Sequence, residues 1–264
     1  MRVDNPAPPL TLAVAQPACV PHDVATNAAA HAVAIRSANA RVVVFPELSL
    51  TGYALDAAAL AADDERLAVI VHACADTDAI AFAGAPVRSE DGEHIAILRF
   101  DAVGVSVAYR KMHPDAEESQ RFLPGAAPVV LTVGGWRLGL AVCRDAMNPT
   151  HSVETGQLGM DVYVAGLLTR PERLPVQDRR MAEIARTQGV WVAAASYAGP
   201  TAPYPRTAGG SGVWSPDGSA VRTGAEPGAV VTATVRAPDP PSAPAPRHGG
   251  WRAFLLRLWR SLWG

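Results

Sequence analysis

The runs that most restrict this chain are short, apolar and unbroken. Arg41-Val42-Val43-Val44-Phe45 is one, and Leu138 to Val142 is another. A strand with one wet face alternates polar and apolar residues, so a continuous β-branched run suits a strand covered on both faces. Between strand-like runs lie stretches with helical spacing, at Asp23 to Ala40, Asp56 to about Ala75, and Val176–Thr187. That alternation predicts a layered α/β domain and argues against a helical bundle or a β-sandwich. Hairpins interrupt it, so the sheets are expected to be mixed. Ser89-Glu90-Asp91-Gly92 turns the strand at Ala79–Ala85 into His94–Asp101, and Gly134-Gly135 joins Val129–Val133 to Trp136–Val142. Val105, Val107 and Tyr109 alternate with Ser106, Ala108 and Arg110, the period of a strand. Thr11–Gln16, Asp161–Ala165, Val190–Ser196, Val213–Ser215 and Val230–Val235 complete the predicted strands.

Composition narrows the class. The chain is 49% hydrophobic and 18% charged with a formal charge of -2, which is globular and offers no basic block for nucleic acid. Cys19, Cys74 and Cys143 are too widely spaced for a disulfide framework or a metal site, which suits a reducing compartment. With no secretory leader pattern and no run of transmembrane length, the expectation is a cytoplasmic location. No Walker loop, GxGxxG, HExxH or GxSxG occurs, so neither cofactor nor metal is expected.

Three chemically capable residues each follow the end of a predicted strand: Glu47, Lys111 and Cys143. Strand ends are where layered α/β folds build sites. Cys143 closes the run Gly139-Leu140-Ala141-Val142, with a helix expected behind it, and helix N-termini and nearby cations lower a thiol's pKa. Lys111 is the only lysine among 23 basic residues. An ammonium is a compact charge whose pKa responds to burial, which a guanidinium's does not. A carboxylate to take the thiol proton, a thiol to attack and an ammonium to hold the resulting oxyanion together suit acyl transfer. Cys19 and Cys74 read as packing residues. His94, His113 and His151 lie in no recognisable partner motif for a cysteine.

These segments resemble the nitrilase (carbon–nitrogen hydrolase) superfamily. Phe45-Pro46-Glu47 with Thr51-Gly52-Tyr53 is similar to its glutamate motif, Tyr109-Arg110-Lys111-Met112-His113 to its lysine motif, and Gly139 to Asp145 to its nucleophile strand. Its second glutamate precedes an F-x-P-G element. Glu118, ahead of Phe122-Leu123-Pro124-Gly125, is the best match, with Glu117 adjacent. Met181 to Arg186, Gly210-Ser211-Gly212 and Pro216-Asp217-Gly218 extend the likeness, which runs from about Thr11 to Val235. The resemblance implies an α-β-β-α sandwich with mixed sheets, often paired into homodimers or larger assemblies. It implies a hydrolase of a small-molecule amide or carbamoyl compound acting through a thioester. Glu47 would be the base, Lys111 the stabiliser, Cys143 the nucleophile and Glu118 an aid to positioning, with Tyr53 at the substrate. Asp145 resembles the amidase-like branches, where nitrilases carry glutamate. Arg144 stands where an aromatic residue is frequent; it reads either as a contact for an acidic substrate group or as a surface arginine. Two rival functions are an amide-forming acyltransferase of the same superfamily and a silent binding or membrane-tethered module.

The chain's end differs from its body. Residues 1–235 read as the hydrolase domain and 236–250 as a Pro-rich linker. Residues 251–264 put Trp251, Phe254, Leu255, Leu258 and Leu262 on one helical face and Arg252, Arg257 and Arg260 on the other. Such a helix suits a peripheral membrane contact on anionic lipid, or docking on the acidic body of the protein.

Overall fold

The computed structural model describes residues 7–236. Two six-stranded mixed sheets stack face to face. The first contains β1 (Leu10–Gln16), β2 (Val42–Val44), β3 (Ile80–Ser89), β4 (Gly92–Asp101), β5 (Gly104–Arg110) and β12 (Ala229–Val235), in the order β12-β1-β2-β3-β4-β5. The second contains β6 (Val130–Val133), β7 (Trp136–Val142), β8 (Val162–Leu167), β9 (Trp191–Ser196), β10 (Gly212–Trp214) and β11 (Ala220–Arg222), in the order β11-β10-β9-β8-β7-β6. The centres, β1-β2-β3 and β7-β8-β9, are parallel; the hairpins supply the antiparallel edges.

The unbroken runs are explained by what covers them. Val42 and Val44 face the second sheet's Leu140, Val142 and Val164 in one core, while Val43 joins the outer core beneath α1 (Val24–Ala38) and α2 (Ala68–Thr77). On the far side Ala141, Tyr163, Ala165, Val192 and Ala194 pack against Met181, Ile184 and Ala185 of α5 (Leu174–Gln188). The result is the layered α/β domain with mixed sheets that the alternation predicts, arranged as the α-β-β-α sandwich that the resemblance implies.

Three local expectations change. The helix expected over Asp56 to about Ala75 begins only at Ala68. Asp64 turns its carboxylate onto the backbone N–H of Arg66, and the Leu60 N–H bonds to Pro86 O, so residues 56–67 cross the sheet edge as turns and one short 3₁₀ helix. The strand expected at Ala79–Ala85 continues through Pro86 to Ser89. Beyond Phe82 its β2-facing edge has no strand partner, so the missing proline N–H costs no ladder bond. Two elements were not expected, β11 and the helix α4 (Pro149–Gln157). The α4 signal was present: Asn148 caps Thr150 N at 3.1 Å, with proline at the first helical position. Apart from Arg236, the predicted linker and C-terminal helix lie outside the described residues. No helix among the described residues is long and apolar enough to cross a membrane.

Candidate active site

Glu47 is delivered by the turn after β2, and two glycines let that turn fit. A Cβ on Gly84 of β3 would lie 2.2 Å from Leu48 N and 2.8 Å from Glu47 Cα. A Cβ on Gly166 of β8 would lie 3.0 Å from both Glu47 N and Phe45 O. The glutamate's backbone is thus held between the two sheets, and its side chain is buried.

Lys111 leaves the end of β5. Its N–H bonds to Ile95 O and its carbonyl accepts from Gly125 N, so the F-x-P-G element braces the lysine's backbone. Gly125 is required there, because a Cβ would lie 2.2 Å from Arg110 O. The buried ammonium donates to Glu47 Oε1 at 2.7 Å and to Glu118 Oε1 and Oε2 at 2.7 and 2.6 Å. Glu118 lies on a 3₁₀ turn within the 112–128 loop, where Asp115 N also bonds its Oε2 at 2.7 Å. Glu117 is exposed. The glutamate that meets the lysine is therefore Glu118.

Cys143 directly follows β7 at φ 44°, ψ −97°, a positive-φ conformation that costs a non-glycine residue energy. Its N–H bonds to Gly166 O at 2.8 Å, so one glycine supports both the base and the thiol. The helix expected behind the thiol is a single turn, α3 (Arg144–Met147). Arg180 of α5 grips that turn, donating from Nε to Ala146 O at 3.0 Å.

The electrostatics correct one expectation. Burial pushes the Cys143 thiol well up, and the Glu47 charge adds to the rise; the Lys111 charge opposes both without overcoming them. Helix and cation therefore do not leave a standing thiolate. Burial also lifts the Glu47 carboxyl to about 7, against the pull of Lys111. Burial disfavours the Lys111 ammonium, but the carboxylates of Glu47 and Glu118 beside it raise it and hold the lysine protonated. Glu47 Oε1 is taken by Lys111, while buried Oε2 has no hydrogen-bond partner. One oxygen fixed and one free beside a protonated thiol is the arrangement a general base needs.

Tyr53 joins this cluster. It sits at φ 59° with its ring edge-on to Tyr197 and 6.1 Å from Tyr204, and burial followed by the charges of Glu47 and Glu118 raises its phenol. Arg144 does not join it. Its side chain is exposed on a cleft of about 570 Å³ shared with Met112, His113, Ser119 and Asn148, and none of the five clustered residues lines that cleft. Sequence reasoning missed the polar groups behind the nucleophile, where Asp145, Tyr109, His113 and His151 bond to one another. Among the described residues no group of three or more His, Cys, Asp and Glu is arranged to hold a metal ion.

The sequence profile of the carbon–nitrogen hydrolases matches residues 11–239. A Pseudomonas protegens protein described as a hydrolase in the 5′ region of pqqF is 32% identical over 230 residues, 80% of this chain and 78% of that protein. The omega-amidase YafV of Yersinia enterocolitica is 30% identical over 127 residues, 47% of this chain and 50% of the relative. Among solved structures, an amidase from Nesterenkonia sp. superposes with a TM-score of 0.78 at 22% identity, covering 95% of this chain and 96% of the amidase.

Proposed function

Because the chain belongs to the carbon–nitrogen hydrolase family, we propose that it cleaves the C–N bond of small linear amides through a thioester on Cys143. One observation carries this reading: a buried ammonium bridges Glu47 and Glu118 beside a thiol on a strained turn, with Glu47 Oε2 free. The amidase relatives support an amide as the substrate class.

Glu47 Oε2 takes the thiol proton as Sγ bonds to the amide carbon. The carbonyl oxygen becomes an oxyanion, stabilised by Lys111 Nζ and by the Arg144 N–H at the head of α3. The C–N bond breaks and nitrogen leaves as ammonia, carrying the proton from Glu47. Water then attacks the thioester while Glu47 accepts its proton, and the C–S bond breaks to give the acid and the thiol. Glu118 holds the ammonium on its second side throughout. A panel of linear amides with ammonia detection tests this reading, comparing wild type with Cys143→Ala. Ammonia release lost in the variant is expected, and full turnover by Cys143→Ala would overturn the mechanism.

A further inference from the structure

Behind the nucleophile runs a buried polar chain that the proposed mechanism does not use. Asp145 is fully buried and accepts from the backbone N–H of Val142 at 3.2 Å and of His113 at 2.9 Å. It also accepts from Tyr109 Oη at 2.8 Å, and His113 Nδ1 lies at the same distance. Tyr109 Oη in turn lies 2.9 Å from His151 Nε2, and His151 Nδ1 lies 2.8 Å from Tyr163 Oη. His151 stands in the first turn of α4 and is itself fully buried.

The direction of every bond follows from the carboxylate at one end. A carboxylate only accepts, so the Tyr109 hydroxyl proton points at Asp145 and its oxygen is left to accept. His151 Nε2 must then carry a proton, and Nδ1 of the neutral ring accepts from Tyr163. Burial holds His151 below the usual histidine range, which agrees with a neutral ring. Protons therefore point one way, from Tyr163 through His151 and Tyr109 to Asp145.

The chain joins four elements: β8, α4, β5 and the α3 turn. Tyr109 is two residues before Lys111, and Asp145 is two residues after Cys143. The relay thus ties the strand that delivers the ammonium to the turn that delivers the thiol. Cys143 keeps its positive φ, a conformation that persists only where surroundings over-determine it.

We propose that His151 is a positioning residue: by donating to Tyr109 it fixes the Tyr109–Asp145 bond and holds Lys111 and Cys143 at their working separation. The inference rests on Cys143 being the nucleophile. The test uses His151→Leu, His151→Gln and Tyr109→Phe in the full chain, with Cys143→Ala in parallel. Glutamine retains an N–H that can reach Tyr109; leucine does not. The readouts are kcat and KM on an amide the wild type hydrolyses, the rate of Cys143 alkylation by iodoacetamide followed by mass spectrometry, and thermal unfolding.

His151→Leu and Tyr109→Phe are expected to lose about 10- to 100-fold in kcat, with KM within about twofold, the scale of a misplaced reacting group. Alkylation of Cys143 is expected to slow in both, and His151→Gln to recover most of the rate. Wild-type kcat and labelling in folded His151→Leu and Tyr109→Phe would overturn the proposal. So would an equal loss in all three variants that simply tracks a lower unfolding temperature. If Cys143→Ala kept its turnover, the nucleophile reading would fall, and the alkylation rates would decide the relay alone: unchanged rates overturn it and slowed ones support it.

Discussion

Lys111→Met is the substitution whose cost the structure defines best. Methionine keeps the stem and removes an ammonium bonded at 2.6–2.7 Å to two buried carboxyl groups. Removing one partner of a buried ion pair costs about 3–5 kcal/mol, because the remaining charge is left uncompensated. That cost depends on pH, since a stranded carboxylate can take up a proton. With Lys111 present, burial already places Glu47 at about 7; without the ammonium Glu47 rises further. A carboxyl whose folded pKa is raised holds a proton where the unfolded chain has lost it. Stability therefore falls as pH climbs from the unfolded value to the folded one, by about 1.4 kcal/mol per unit. Wild type and variant share that slope up to about pH 7, and only the variant continues downward above it. Lys111 itself adds no slope here, because its raised pKa keeps its contribution intact below its unfolded value. The deficit of Lys111→Met, followed at pH 5.5, 7 and 8.5, should thus grow above pH 7, by roughly 2 kcal/mol by pH 8.5. Urea unfolding at the three pH values, followed by tryptophan fluorescence with unchanged m, measures it. A deficit independent of pH would refute the reasoning.

Three further outcomes follow from the same geometry. Wild-type kcat/KM should fall below about pH 7 as Glu47 gains its proton; Glu47→Gln should lose roughly 10²–10⁴-fold and abolish that limb, and a limb surviving in the variant would count against Glu47 as base. Gly166→Ala places a Cβ 3.0 Å from Glu47 N, so a destabilisation of about 1–3 kcal/mol and a lowered kcat at near-constant KM are expected in unfolding and steady-state assays. Glu118→Gln should lower kcat about 10- to 100-fold while the exposed neighbour Glu117→Gln stays within about twofold, since only Glu118 bonds Lys111; equal effects would dissolve the distinction.

The layers were legible because burial on two faces writes itself as unbroken runs such as Val42-Val43-Val44, and Glu47 and Cys143 because each follows such a run, whereas Lys111 follows the alternating strand β5. The turns of 56–67 were not legible. Their alanines carry helical spacing, and what overrides it is one side-chain cap at Asp64 and one backbone bond from Leu60 to Pro86, both set by the tertiary fold. Glu118 was already the better match in sequence to the position ahead of Phe122-Leu123-Pro124-Gly125, and the three-dimensional turn adds the physical reason by burying Glu118 and exposing Glu117. Gly84 and Gly166 look like ordinary strand glycines in sequence, and only the approach of the Glu47 turn from the opposite side gives them a purpose. His151 was hidden with α4, although Asn148-Pro149 marked where that helix starts.

The raised thiol bears on how such a site works. Glu47 and Glu118 as carboxylates with one ammonium carry a net negative charge before the cysteine is counted. A standing thiolate would add a second negative charge in a buried place, and burial together with Glu47 pushes Cys143 the other way. A cysteine hydrolase that stores a thiolate sets an imidazolium beside it. Here His113 and His151 direct their bonds to Asp145, Tyr109 and Tyr163, on the far side of the turn. On the proposed route the thiol loses its proton only as it attacks. The proton passes to Glu47 Oε2 while the negative charge passes to the carbonyl oxygen, where the ammonium waits. The cluster's total charge does not change in that step, so no buried charge is created or stranded. A base near 7 and a thiol held protonated are then not in conflict; they are the two halves of one electroneutral transfer, and Lys111 is the group that makes its product stable.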